Sequence, residues 1–385
     1  MESQRSVSEI ELAIEIPIPS INPTTGDHRH HVSVVVAQRS LSSILTKFHA
    51  GYFRISLSLG GLALLWKTLL EPTYHSSTIL RHMPHVIYPT AVIVLWSSAF
   101  LTLVRLSLLY ILRCFFRFSM VKKEFLHHVG VNYQFAPWIS WLLLLQSAPF
   151  VARKNASYQV LWWVFAVPIV VLDVKIYGQW FTKGKRFLTA VANPTSQISV
   201  IGNLVGASAA SQMGWQEVAV CFFSLGMVHY LVLFVTLYQR LSGGDRLPAM
   251  LRPLFFLFFA APSIASLAWD SIAGTFDTAS KMLFFLSLFL FASLICRPAL
   301  FKKSMRRYNV AWWAYSFPIT ELVLASTRYA QQVNGRIAQA IMLILSVLSV
   351  LVAAGLVVFT ALNTKMLLPD DDPILTLPIH SPRAT

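Results

Sequence analysis

The stretch Ile341-Met-Leu-Ile-Leu-Ser-Val-Leu-Ser-Val-Leu-Val-Ala-Ala-Gly-Leu-Val-Val358 carries no charged side chain, and neither does the wider segment 337–363 around it. A helix needs about 20 consecutive, mostly apolar residues to cross the hydrocarbon core of a bilayer. Nine more segments read in the same way, near 50–70, 87–112, 135–151, 157–181, 195–212, 215–240, 251–270, 281–298 and 309–330. The third and fifth are short, which suits helices surrounded by protein better than helices facing lipid. The fold class expected is an all-α polytopic membrane protein, ten transmembrane helices arranged as five hairpins around an axis.

Composition agrees. Of the 385 residues 56% are apolar and 12% charged, about half the charged share of a soluble domain, and mean hydropathy is +0.60. The net charge of +15 is distributed unevenly: 21 of the 31 Lys and Arg residues fall in segments assigned to the inside if the N-terminus is cytoplasmic. Outer loops hold Arg81, Arg153, Lys154, Lys281 and Arg336. This is the positive-inside pattern, so the charge reports topology and not a nucleic-acid partner. Both termini are expected in the cytoplasm. Residues 1–48 read as a disordered N-tail without a signal peptide, 49–365 as one membrane domain and 366–385 as a C-tail. Cys114, Cys221 and Cys296 are far apart in the sequence and define neither a disulfide framework nor a metal site.

A weak internal repeat is the most informative pattern. Ala136-Pro137, Asn193-Pro194, Ala261-Pro262 and Phe317-Pro318 recur at spacings of 57, 68 and 56 residues, and the first span carries Gly60-Gly61 instead. Proline removes a backbone donor and bends a helix, and in lipid the freed carbonyls must face protein or a wet cavity. Kinked odd-numbered spans and smoother even-numbered ones predict that the odd members sit inside. The fifth span is rich in Ser, Ala and Gly. Its Gly202 and Gly206 permit close helix approach, while Ser199 and its neighbours would equally suit a hydroxyl-lined pore wall.

The chain resembles the plant slow-type (S-type) anion channels, within the tellurite-resistance and dicarboxylate-transporter superfamily. The stretches that carry the likeness include Ser43-Ile-Leu-Thr-Lys-Phe-His-Ala-Gly-Tyr-Phe53, Phe135-Ala-Pro-Trp138, Lys175-Ile-Tyr-Gly-Gln-Trp180 and Ala192-Asn-Pro-Thr-Ser196. Others are His229-Tyr-Leu-Val-Leu-Phe-Val-Thr-Leu-Tyr-Gln-Arg240, Ala260-Ala-Pro-Ser263 and Trp312-Trp-Ala-Tyr-Ser-Phe-Pro-Ile-Thr320. The short N-tail is similar to that of the branch without a long kinase-regulated tail. The resemblance implies a trimer, with a pore in each subunit lined by five inner helices and closed by a phenylalanine on the ninth, here Phe317. Pro318 adjoins it. A second gating phenylalanine of the family is replaced by Leu143. Glu321 lies one turn after Phe317, where a carboxylate opposes anion passage unless it is neutral or reaches Arg328. Lys122, Lys123, Arg186 and Arg297 match a basic cytoplasmic face that meets anions or regulatory segments.

Arg54 and Lys67, near opposite ends of the first span, read as snorkelling cations. Asp173 and Lys175 are two residues apart, a spacing that does not bring side chains face to face. His75, His82 and His85 read as polar loop residues. Arg39-Ser40-Leu41-Ser42-Ser43 offers a protein kinase basic-directed serines. Catalytic constellations and phosphate-cradling loops do not emerge, so neither an enzyme nor a cofactor is expected. The function expected is a slow-type anion channel subunit that passes chloride or nitrate across the plant plasma membrane, as a homotrimer or in heterotrimers with related subunits. A modulatory subunit is a variant of this reading, and a secondary transporter of dicarboxylates such as malate is the alternative.

Overall fold

The computed structural model describes residues 42–70, 87–153, 155–182, 192–242, 249–306 and 308–364. Most of both expected tails lies outside these residues, as do His75, His82, His85 and Arg186. Residues 42–47, read as tail, are helical, with Leu45 and the following Phe48 buried. Among the described residues ten helices of 13 residues or more carry the fold: α1 (Arg54–Leu70), α2 (Ile87–Phe116), α3 (Phe135–Ser147), α4 (Ala156–Thr182), α5 (Gln197–Gln212), α6 (Gln216–Ser242), α7 (Leu257–Ala273), α8 (Thr278–Ile295), α9 (Ser316–Val333) and α10 (Arg336–Leu362). Each segment read from the sequence falls on one of them. Among the described residues six helices, α2, α4, α6, α8, α10 and α7 with its leading turn, are long and apolar enough to span a membrane.

The odd-numbered helices form a closed ring, in which α1 packs on α3, α3 on α5, α5 on α7, α7 on α9 and α9 on α1. Each even-numbered helix packs against the odd one before it. Burial follows this division. On α5 every described side chain from Gln197 to Ser211 is buried, whereas α8 buries only Ser280, Phe284, Ser287 and Phe291, a single stripe at helical spacing. The remaining faces of α2, α4, α6 and α10 expose Leu, Ile, Val and Phe, the surface that hydrocarbon solvates.

Hydroxyls and amides tie inner to outer helices: Ser263 Oγ to Ser287 Oγ at 2.5 Å, Thr320 Oγ1 to Ser349 Oγ at 2.9 Å, and Asn203 Nδ2 donating to Asp173 at 2.7 Å. Asp173 therefore turns inward to α5, while Lys175 Nζ donates to the Phe125 carbonyl at 2.5 Å. Lys67 Nζ donates to the carbonyls of Gln146 and Ala148 at the far end of α3, at 2.8 and 3.1 Å.

The prolines act differently from the expectation of kinks. Pro137 and Pro318 are the third residues of α3 and α9, and Pro194 opens the short 3-10 turn Pro194–Ser196 before α5. First-turn N–H groups have no intrahelical acceptor, so proline there sacrifices nothing and marks a helix start. Pro262 lies inside α7, but Pro168 lies inside α4, an outer helix. The real recurring device is a capped 3-10 turn. His49, Asn193 and Asn309 share an extended backbone, with φ of −144°, −145° and −152°, and each side chain accepts the N–H two residues on. These turns lead into α1, α5 and α9.

Gly206 on α5 faces Phe222 on α6, where an added Cβ would stand 3.0 Å from the ring. We expect Gly206→Val to lower the melting temperature of the detergent-solubilised protein, by ~1–3 kcal/mol of overpacking. Gly355→Ala, whose new Cβ meets nothing within 4 Å, should melt like the parent. Equal melting of all three proteins would contradict the α5–α6 contact.

Candidate functional site

Because five helices begin at one end of the ring, their first turns converge. They enclose a cavity of about 20 Å³ lined by Arg54 and Leu57 of α1, Ala136 of α3, Ile198 and Ile201 of α5, Leu257 of α7, and Phe317 and Pro318 of α9, with Tyr133, Leu254, Trp313 and Ala314 from the leading turns. That is room for about one water molecule. The N-terminus of a helix carries roughly half a positive charge and unpaired N–H groups. Five such ends beside one small, mostly apolar chamber give it a positive potential that favours anions.

Phe317 is 3% exposed and forms part of the cavity wall with Pro318. Its ring seats against α1 at Gly61, where a Cβ would meet the ring at 3.3 Å. Gly60, the neighbouring residue, is the seat of Leu143, whose Cβ lies 3.4 Å from the position of an added methyl. The two glycines that interrupt the first span thus receive the two side chains assigned to the gate. Larger residues at 60 and 61 would push both away. Leu143 is 1% exposed, so this layer is filled by an aliphatic side chain.

Glu321 also meets Gly61, with Oε1 3.4 Å from the added methyl, and is 2% exposed. Oε1 has no hydrogen-bond partner among the described residues. The expected reach to Arg328 does not occur, because Arg328 Nε instead donates to Asp270 Oδ2 at 2.8 Å on α7. Arg328 is seven residues beyond Glu321, far enough along α9 for a different neighbour to claim it.

Ser199 and Gly202 do not line the cavity. Ser199 Oγ meets Tyr177 Oη of α4 at 2.8 Å and donates to the Ser196 carbonyl. Gly202 lies against Ile139 of α3 and Ile169 of α4, each 3.3–3.4 Å from an added Cβ. Ile198 and Ile201 supply the wall from α5 instead. Since α5 is buried all round, its residue pattern carries no signal of which face turns inward.

Lys122 and Lys123 are exposed on the short helix Phe118–Leu126, and Arg297 is exposed just beyond α8. None lines the cavity, but all lie at the end of the bundle where the odd helices start. There Glu124, 8% exposed, accepts the Ala50 N–H at 2.8 Å, and Arg252 Nη1 donates to the Leu300 carbonyl at 2.9 Å. Glu124 Oε2 also pairs with Arg113 Nη1 at 3.3 Å, with both side chains almost wholly buried.

Arg54 is the residue that the sequence reading missed. It is 7% exposed and does not snorkel. Its Nε donates to the Gly51 carbonyl at 2.6 Å, and its guanidinium lies 4.9 Å from the centroid of the Tyr133 ring. Among the described lining residues it is the one that carries a charge. The signal that pointed to it was weak: a cation at the first position of an apolar helix that follows Gly51.

What this arrangement can do is admit a small anion to a positive chamber and block it with an aromatic ring. The known proteins that resemble the chain are named as anion channels. The voltage-dependent anion channel family (SLAC1) matches residues 47–361. The S-type anion channel SLAH1 of Arabidopsis thaliana is 59% identical over 367 residues, 95% of this chain and 93% of that protein. S-type anion channel SLAH4 of the same plant is 58% identical over 331 residues, 86% of this chain and 88% of that one. The guard cell S-type anion channel SLAC1 is 40% identical over 354 residues, which cover 91% of this chain but 62% of the longer relative. A match that spans nearly the whole bundle, ring and jacket alike, makes this chain a member of the SLAC1 family of voltage-dependent anion channels.

Proposed function

We propose that the protein is a slow-type anion channel subunit that passes chloride and nitrate across the plant plasma membrane through a pore gated by Phe317. In this reading the ten helices cross the bilayer as five hairpins, residues 49–365 form the channel domain, and both termini are cytoplasmic. The observation that carries it is the cavity ringed by five helix starts and walled by the Phe317 ring. An anion that reaches the ring must shed water without gaining ligands, which makes a hydrophobic constriction a barrier. Displacing or removing the ring opens the path.

Lys122, Lys123, Arg186 and Arg297 act as a basic mouth that raises the local anion concentration. Subunits assemble as trimers, alone or with related chains, and a kinase acting on the N-tail supplies regulation by added negative charge. A modulatory role in mixed channels is favoured by Leu143, which thins one layer of the gate, and by Glu321, which places a carboxyl against the gate. The alternative of a dicarboxylate transporter is weaker, because two carboxylates call for paired cations and the described cavity wall holds Arg54 as its one charged residue.

Phe317→Ala is expected to raise anion current under voltage clamp in oocytes by about tenfold or more, the equivalent of removing ~1.4 kcal/mol of barrier. If neither the parent nor Phe317→Ala carries anion current, alone or with a conducting relative, the channel reading fails. Glu321→Thr should raise current several-fold in either background, since an acid beside the gate opposes an anion at low dielectric. Unchanged current would remove Glu321 from the gate.

A further inference from the structure

We infer that Arg54 is a binding site for a small inorganic anion at the inner face of the gate. The inference deepens the channel reading and rests on it for the route of the anion, though not for the binding itself. Four observations on the wall of the same cavity lead to it.

First, Arg54 is more than nine-tenths buried yet lines a space rather than a packed interface. Second, its guanidinium has committed one donor: Nε goes to the Gly51 carbonyl, and the flat face rests on Tyr133. Among the described residues no carboxylate pairs with it. Glu124, which accepts the Ala50 N–H, pairs instead with Arg113. Third, Leu57, Ala136, Ile198, Ile201, Leu254, Leu257, as cavity neighbours, offer no acceptor side chain. Fourth, Phe317 and Pro318 border the same space, so an anion held by Arg54 waits directly beneath the ring that blocks it.

A buried cation without a counter-charge is costly in apolar surroundings. A bound chloride or nitrate supplies the missing charge, and the two terminal nitrogens of the fork offer it charge-assisted hydrogen bonds. The first-turn N–H groups and dipoles of the surrounding helices add to the same field. Arg54 therefore gives back to the anion some of the hydration it loses on entering, one step before the constriction where nothing does.

The test uses the full-length protein in detergent, with gluconate as the bulk anion and chloride or nitrate titrated in while melting is followed. Ligand that binds the folded state raises the melting temperature according to its affinity. The parent should be stabilised by both anions, and Arg54→Gln should weaken the apparent affinity by about tenfold, as expected on losing a charged hydrogen-bonding partner. Arg54→Lys keeps the charge and should keep most of the response. A purely structural Arg54, holding the turn at Gly51, would lower the starting melting temperature of Arg54→Gln and leave its anion dependence intact. That result overturns the site, as does a parent that responds to neither anion. Currents separate this from the channel reading: silence of Phe317→Ala with an Arg54-dependent anion response leaves the site standing and removes the pore, and conducting Phe317→Ala with an unaltered response in Arg54→Gln does the reverse.

Discussion

Helices of 13 to 18 residues, such as α1, α3, α5, α7 and α9, can hold polar groups inside a membrane protein only if lipid never touches those groups. The other features of the bundle answer to that constraint. Unsatisfied backbone and buried hydroxyls are expensive in hydrocarbon, so the five short helices close on one another and each takes a longer apolar helix as cover. With the lipid surface delegated to α2, α4, α6, α8 and α10, the ring can accept Asn203, Ser263, Thr320 and even Glu321. Three of the inner helices, α1, α5 and α9, are also free to begin late, behind capped 3-10 turns. Starting late is what leaves a chamber.

The chamber's chemistry follows from how it is built. Its walls come from first helical turns, so the sign of the local field is set by the backbone before any side chain is counted. His49, Asn193 and Asn309 cap the leading turns and hold them in register. Arg54 then adds a full positive charge to a field that already favours an anion. Phe317 is the apolar counterpart, a buried ring on the wall of the same chamber. The double glycine of α1 makes this compatible with tight packing, since Gly61 admits the ring and Gly60 admits Leu143.

How much of this is readable in the amino-acid order depends on the kind of signal. The ten helical segments are legible because hydropathy over 20 residues is a sum that local detail barely perturbs, and the shortness of the third and fifth already points to those two as inside. Phe317 is legible through a long family-like stretch, Trp312 to Thr320. The proline spacing reports the right periodicity for the wrong reason, since three of the four prolines mark where helices start and only Pro262 lies deeper in its helix. Ser199 and Gly202 mislead because α5 is small-residued on every side, so no periodicity tells the face toward the chamber from the face toward α4. Arg54 and Glu124 are illegible for a different reason. Their meaning lies in contacts between distant residues, Arg54 with Tyr133 and Glu124 with Ala50 and Arg113, and a charge at the edge of an apolar span looks the same whether it snorkels or turns inward.

Those distant contacts also bind the surface of the bundle to its interior. Glu124 sits on the short helix that exposes Lys122 and Lys123, and its carboxylate holds the N–H of Ala50, four residues before Arg54. Arg113, at the end of α2, holds the same carboxylate from the other side. Gly130 packs so closely against the Glu124 carbonyl that a Cβ would stand 2.5 Å away, which leaves the short helix little room to shift. Breaking a buried pair of this kind by removing one partner typically costs about 3–5 kcal/mol. The basic surface and the turn that carries Arg54 are therefore one mechanical unit. Displacing the short helix while leaving the chamber as it stands would require abandoning a buried carboxylate, so the cheaper motion carries both together.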